Sequence, residues 1–195
     1  APALAAGNTV VIKPSEITPL SALHWCSLIE SILPPGVINV VTGYGQSAGE
    51  PLVTHLDVPV ITFTGSVVTG KKIARLAADN LKKVSLELGG KDPMIICDDA
   101  DIEIAAQGAS WGGFVNAGQV CTSIERIYVF ENVINKFTEA IIEEAKKVVL
   151  GDPFAKDTDI GPMVSKAQQE NTVKKVEQAV RDGARILTGG NIPKN

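Results

Sequence analysis

The sequence holds few of the groups that metal, membrane or nucleic-acid chemistry requires. Two histidines and three cysteines are its whole stock of imidazole and thiol ligands in 195 residues. With no C-x-x-C pair among them, no tetrahedral zinc spacing can be assembled, and no structural metal is expected. The three thiols, Cys26, Cys97 and Cys121, are odd in number and far apart, which excludes a disulfide framework and suits a reducing compartment. Aromatic residues make up 5% of the chain, and the net charge of −4 is spread without a basic block. Neither a phosphate-neutralising face nor a base-stacking platform is available, so nucleic acid is not an expected partner. No apolar run approaches the roughly 20 residues that span a bilayer, and no basic stretch followed by an apolar one opens the chain. No membrane association and a cytoplasmic location are expected.

What is present is apolar material, 45% of residues, enough to build a core in one large domain or two small ones. Neither an internal repeat nor a low-complexity tract interrupts it. The chain opens on Ala1-Pro2 and passes Gly189-Gly190-Asn191 just before its end, both within structured-looking patterns, as a piece of a longer protein would.

In the first ninety or so residues strands alternate with helices. Asn8–Lys13 is a β-branched run ended by Pro14, and Val37–Thr42, Val58–Phe63 and Val84–Leu88 are three more strands. Thr18-Pro19 supplies a cap and a first-turn proline to a helix over Leu20–Leu33, apolar on most faces and therefore expected to be buried with His24 and Cys26 in it. A second helix, Val67–Asn80, places Ile73, Leu76 and Ala77 on one face. This order predicts an α/β fold with a parallel, doubly wound, Rossmann-like sheet and ligands at the carboxyl ends of its strands. Lys13, Gly43, Gly65 and Glu87 all fall at such ends. Gly43-Tyr44-Gly45-Gln46-Ser47-Ala48 matches G-x-G-x-x-A, but no acid stands on a strand about 20 residues later to hold a ribose, so the glycines read as a tight turn near a ligand.

Gly89-Gly90 reads as the hinge into a second α/β unit, giving domains 1–89 and 90–195. There Pro93–Cys97 is a strand, and Asp98–Asp101 offers caps to a helix from Ile102 whose end, Trp111–Asn116, delivers Cys121. Ile127–Phe130 is another strand. Asn132 is the expected cap of a helix with Ile134, Phe137, Ile141, Ala145 and Val148 on one stripe and a Glu143–Lys147 pair. Gly151-Asp152-Pro153 ends it. Ser165 opens a last helix with Val173, Val176 and Val180 inward and Gly183 past its end, and Ala184–Leu187 starts one more strand.

Two residues carry candidate chemistry. Cys121, in Gly118-Gln119-Val120-Cys121-Thr122-Ser123, is a candidate nucleophile, and Glu87, in Leu86-Glu87-Leu88-Gly89-Gly90-Lys91, a candidate base. Taken singly, a free cysteine is more often a small buried hydrophobe and a strand-end glutamate a solvated charge.

Five blocks in order are similar to those of the aldehyde dehydrogenase superfamily, and the likeness runs over essentially the whole chain. They are Asn8-Thr9-Val10-Val11-Ile12-Lys13-Pro14-Ser15-Glu16, Phe63-Thr64-Gly65-Ser66, Leu86-Glu87-Leu88-Gly89-Gly90-Lys91, Gly118-Gln119-Val120-Cys121 and Gly151-Asp152-Pro153-Phe154, with an interval of 34 positions from Glu87 to Cys121 as in that family. The resemblance implies that the first domain binds NAD and the second is part of a catalytic domain. It implies that Cys121 attacks an aldehyde to give a thiohemiacetal and then a thioester, that its backbone N–H helps hold the oxyanion, and that Glu87 activates the hydrolytic water. Burial would suit Glu87 to that task by raising its pKa.

For NAD the resemblance implies binding by Ile12, Lys13, Ser15, Glu16, Gly45, Gly49, Phe63, Thr64, Gly65, Ser66, Thr69 and Leu88. Lys13 and Glu16 would take the adenosine ribose, and Gly65 and Ser66 face the pyrophosphate from a helix start. On the residues alone, Lys13 and Glu16 read equally as an exposed ion pair, and Thr64-Gly65-Ser66 as a turn with a cap. A carboxylate at Glu16 would repel a 2′-phosphate, which makes NADP the less expected cofactor. Trp111, Val115, Val120 and Thr122 would flank an aldehyde tunnel, or serve as ordinary core. Full-length members carry an upstream asparagine that completes the oxyanion hole, a downstream glutamate and an oligomerisation arm, so the implied object is the central portion of a homo-oligomeric enzyme. A non-catalytic dinucleotide-binding or interaction module is the alternative, and an acylating, coenzyme A-dependent branch is disfavoured by Glu87.

Overall fold

The structure, a computed structural model, describes residues 1–193. It comprises two compact units, Ala1–Leu88 and the residues from Gly89 onward. Every ladder between named strands is parallel, as expected of strands joined by helical crossovers rather than hairpins.

In the first unit a short helix α1 (Pro2–Ala5) precedes β1 (Val10–Ile12), α2 (Leu20–Ile29), β2 (Ile38–Val40), α3 (Glu50–Thr54), β3 (Val60–Gly65), α4 (Val67–Ala78) and β4 (Lys83–Leu88). The strands form two ladders, β1 with β2 and β3 with β4. One π-type turn, Gly45–Gly49, runs directly into α3. Val53, Ile73 and Ala77 are buried, so α3 and α4 supply the tightest packing of this unit. A cavity of about 350 Å³ lies among α1, Val10, Ile12, Ile38, Trp25 and Thr62.

Several expectations fail around α2. The helix stops at Ile29, its cap is Pro19 rather than Thr18, and none of its residues is buried: Leu20 is 77% exposed and His24 is also exposed, while Cys26 is half-buried. A helix that is apolar on most faces carries no stripe that tells which face is covered. Pro19 already adopts helical angles (φ −81°, ψ −21°), and no side-chain hydrogen bond caps the helix.

The second unit contains β5 (Asp92–Ile96), α5 (Ile102–Phe114), β6 (Ile124–Val129), α6 (Ile134–Lys147) and α7 (Lys166–Arg181). Ile96, Ile102, Ala106, Ala109 and Phe137 form its core, with Met94, Val129 and Ile141 packed around them. Alanines at 106 and 109, three apart on α5, let the helices close over the β5–β6 ladder. Asp101 caps α5, accepting from the N–H groups of Glu103 (3.1 Å) and Ile104 (3.2 Å). Ser165 caps α7 through Gln168 N–H at 3.3 Å, and Gly183 follows its end at φ 99°, the left-handed closure that glycine allows.

Here too the structure corrects local readings. Val133, not Asn132, stands at the cap of α6, again without a side-chain bond. Glu143 pairs with Lys146 at 2.7 Å and Glu144 with Lys147 at 2.6 Å, so each acid takes the lysine three residues on and not four. Val173 and Val176 are half-buried, but Val180 is 45% exposed. Ala184–Leu187 forms no strand and is exposed. A β-branched run becomes a strand only where a neighbour completes its ladder, and among the described residues none pairs with it.

Candidate active site

At the carboxyl end of the β1–β2 ladder, Lys13 ties two chain ends together. Its Nζ donates to the carbonyls of Pro14 (2.6 Å) and Gly43 (2.9 Å) and lies 3.7 Å from Glu16 Oε2. Two of three ammonium donors are thus spent on carbonyls, and the third is left for Glu16 or a ligand. Glu16 is exposed, and an ion pair of that length in solvent holds it weakly. Gly49 packs on the Lys13 stem, since a Cβ there would meet Lys13 Cδ at 3.6 Å. Gly43 turns at φ 147°, where a Cβ would stand 2.9 Å from that of Ala48, so this position does require glycine. Gly45, by contrast, has open space where a Cβ would stand, with nothing within 4 Å. Ser15 accepts the Ile17 N–H at 3.3 Å. Lys13, Glu16, Gly43 and Gly49 are therefore gathered in one place, next to Ile12.

The β3–β4 ladder gathers a second set. Register pairs Thr64 with Glu87 and Gly65 with Leu88. The ring of Phe63 leans along the strand over Gly65, so that a Cβ there would fall 2.5 Å from its Cζ. Ser66 then starts α4: its hydroxyl accepts the Thr69 N–H at 3.2 Å and donates to Thr69 Oγ1 at 2.9 Å. The first N–H groups of a helix have no acceptor within it, so those of Val67 and Val68 face outward at an exposed start. That is a favourable place for an anion. Glu87 is exposed on this unit. The unit that carries Glu87 does not bury it.

Cys121 sits in the second unit after an irregular turn. Beyond α5 the backbone makes one 3-10 turn, Val115–Gly118, in which Asn116 (φ 54°), Ala117 (φ 58°) and Gly118 (φ 70°) are all left-handed. For Ala117 this costs on the order of 1–2 kcal/mol, whereas Asn116 adopts it more readily. Two side-chain amides interlock across it. Asn116 Nδ2 donates to the Gln119 carbonyl at 3.1 Å, and Gln119 Nε2 donates to the Asn116 carbonyl at 3.0 Å. The free end of the same amide, Gln119 Oε1, accepts the N–H of Val164 at 3.0 Å. Behind the turn, α5 approaches β6 so closely that a Cβ on Gly112 would lie 2.5 Å from Ile124 Cδ1.

The turn leaves Cys121 exposed. Its backbone N–H has no acceptor among the described residues, which is the condition an oxyanion donor needs. Ser123, two residues on, is buried at 5% exposure and anchors the start of β6. Of the expected tunnel residues, Trp111 is 72% exposed, Val115 and Val120 are half-buried and Thr122 is exposed. Cys97 is also exposed, and Cys26 half-buried. The sequence reading missed Asn116 and Gln119. Asn tolerates the left-handed region better than most residues, and an Asn three positions from a Gln around Ala-Gly was the available signal.

Comparison with known proteins places these features in context. The family model described as the aldehyde dehydrogenase family matches residues 1–195. The chain is 50% identical over 194 residues to betaine aldehyde dehydrogenase of Sinorhizobium fredii, covering 99% of this chain and 40% of that protein. It is 49% identical over 191 residues to the mitochondrial aldehyde dehydrogenase 2 of Saccharomyces cerevisiae, covering 97% and 37%. Among solved structures, betaine aldehyde dehydrogenase of Staphylococcus aureus in complex with NAD+ superposes with a TM-score of 0.97 at 42% identity, over 100% of this chain and 39% of that one. The chain thus spans about two-fifths of the length of the relatives it matches. With five sequence blocks, parallel α/β ladders and a match from first residue to last, the chain belongs to the aldehyde dehydrogenase family.

Proposed function

We propose that the protein of which this chain is the central portion oxidises an aldehyde to a carboxylic acid with NAD. Residues 1–89 would be the cofactor-binding part and 90–195 the catalytic part. The observation that carries the reading is Cys121, an exposed thiol on a braced turn with its backbone N–H unengaged.

The residues present fit a dinucleotide. Lys13 has one donor left and Glu16 is exposed and weakly held, a pair suited to two vicinal hydroxyls. The open start of α4 at Gly65–Ser66 suits a diphosphate. Glu16 disfavours a second phosphate on that ribose, so NAD is proposed over NADP. When bound, NAD supplies the acceptor for the hydride that leaves the substrate carbon.

The chain's own groups account for the rest. The Cys121 thiolate forms a C–S bond to the aldehyde carbon, and the carbonyl oxygen takes the negative charge beside the Cys121 N–H. Once the carbon is oxidised the adduct is a thioester. Glu87 takes a proton from water, the resulting hydroxide adds to the thioester carbon, and the C–S bond breaks to release the acid and the thiolate. The three free cysteines support a cytoplasmic setting for the parent protein, which we read as a homo-oligomer. Among the described residues no helix is long and apolar enough to cross a membrane.

The test uses the full-length protein with NAD and an aliphatic aldehyde, followed by NADH absorbance. Cys121→Ala should abolish turnover and keep NAD binding. Glu87→Gln should give a burst of NADH, at most one per site, and then stall with the acyl group still on Cys121, visible by intact mass. Undiminished turnover in Cys121→Ala would sink the proposal.

A further inference from the structure

We infer that Gln119 is a positioning residue for Cys121, acting through both ends of its side-chain amide. This rests on the nucleophilic role proposed above. The backbone before Cys121 passes through three consecutive left-handed residues, a path that local preference opposes at Ala117. Something outside those residues must hold it, and the structure offers one side chain that touches both the turn and a distant segment. Gln119 Nε2 closes the turn on the Asn116 carbonyl at 3.0 Å, and Gln119 Oε1 fastens it to Val164 N–H at 3.0 Å, 45 residues further on.

Val164 is itself fixed, because Ser165 beside it caps the 16-residue helix α7. The amide of Gln119 is therefore a strut between the residue that leads into the cap of α7 and the turn that ends at Cys121. Its geometry uses donor and acceptor in opposite directions, which Glu, Ala or Met could not reproduce. Asn116 completes the clasp from the other side, donating to the Gln119 carbonyl at 3.1 Å. Near-attack geometry is sensitive to displacements of about 1 Å, which can cost on the order of 100-fold in rate. A strut two residues from the nucleophile is well placed to control it.

The experiment compares full-length protein carrying Gln119→Ala, Asn116→Gly, both together, and Gln119→Glu, which keeps an acceptor for Val164 and loses the donor to Asn116. Two readings are taken: steady-state oxidation of an aliphatic aldehyde, and iodoacetamide labelling of Cys121 relative to Cys97, located by peptide mass. Gln119→Ala is expected to lower kcat about tenfold or more, with the KM for NAD within about twofold of the parent. It should also shift the Cys121/Cys97 labelling ratio by about threefold or more. Gln119→Glu should fall between Gln119→Ala and the parent, and the double variant should lose no more than about twofold beyond Gln119→Ala, since the two amides act as one clasp.

A kcat within about twofold of the parent in Gln119→Ala, with an unchanged labelling ratio, overturns the inference. So does a loss of kcat matched by partial unfolding, with a parental ratio in the folded fraction. If Gln119→Ala fails to fold, Gln119→Glu decides in the same way. Should Cys121→Ala retain turnover, the proposed nucleophile fails separately, and the labelling ratio alone then judges the strut.

Discussion

Gly70→Ala sets two known effects of opposite sign against each other at one position. Gly70 lies inside α4, where alanine would ordinarily stabilise by about 1 kcal/mol. A Cβ at Gly70, however, would lie 2.7 Å from Leu88 Cδ2, 2.9 Å from Cδ1 and 3.4 Å from Cγ. Carbon contacts settle near 3.5–4.0 Å, so Leu88 must retreat by about 1 Å. Rotating its methyls does not clear the space, because both already face the glycine. Either Leu88 leaves its rotamer or α4 lifts from β4, and overpacking of this kind costs roughly 1–3 kcal/mol. The clash should therefore win by about 1 kcal/mol. Gly108 is the internal control: it too is helical, in α5, but exposed, with nothing within 4 Å of a Cβ, so Gly108→Ala should gain up to about 1 kcal/mol. Calorimetric melting of the two variants should separate them by about 4–8 °C for a chain of this length, with Gly70→Ala the lower. A Gly70→Ala melting point at or above that of Gly108→Ala would refute the reasoning. Because Leu88 follows Glu87 directly, the same variant should also slow thioester hydrolysis in the full-length protein.

Ser66→Ala should cost α4 about 1 kcal/mol through loss of its cap, whereas Ser66→Asp should keep the cap and still weaken NAD binding, because it places a negative charge at the proposed diphosphate site; melting and NAD titration read the two effects apart. Arg126 donates through both Nε (2.9 Å) and Nη2 to the Lys91 carbonyl, so Arg126→Lys should lose one of the two bonds and raise hydrogen exchange at Lys91 and Asp92. The Glu143 carboxyl should titrate below the ordinary glutamate range, chiefly because Lys146 donates a hydrogen bond to it. Its small contribution to stability is then present above the unfolded pKa and lost as pH falls through the folded one. Lys146→Ala should return the titration, followed by side-chain carbon NMR, to the ordinary range.

The features legible in the sequence were those with a local cause. Ser66, Asp101 and Ser165 cap their helices as side-chain chemistry predicts, and Gly183 turns past α7 in the conformation that favours glycine. Lys13, Gly43, Gly65 and Glu87 do fall at strand ends, because crossover connections leave the turns there. What failed depended on partners that local sequence does not encode. Ala184–Leu187 has strand composition without a partner, and Leu20, Trp25 and Ile32 are apolar without being covered. The bracing of the Cys121 turn was illegible for the same reason: its key bond joins Gln119 to Val164, and no periodicity links those two positions.

The left-handed turn ahead of Cys121 has a consequence in time. Gln119 Oε1 finds its donor 45 residues downstream, and ribosomes add about 5–20 residues per second. For roughly 2–9 s of synthesis the reactive thiol therefore exists on a nascent chain without the anchor that aims it. The geometry of the turn ahead of the proposed nucleophile is therefore completed only when the chain up to Val164 has been made.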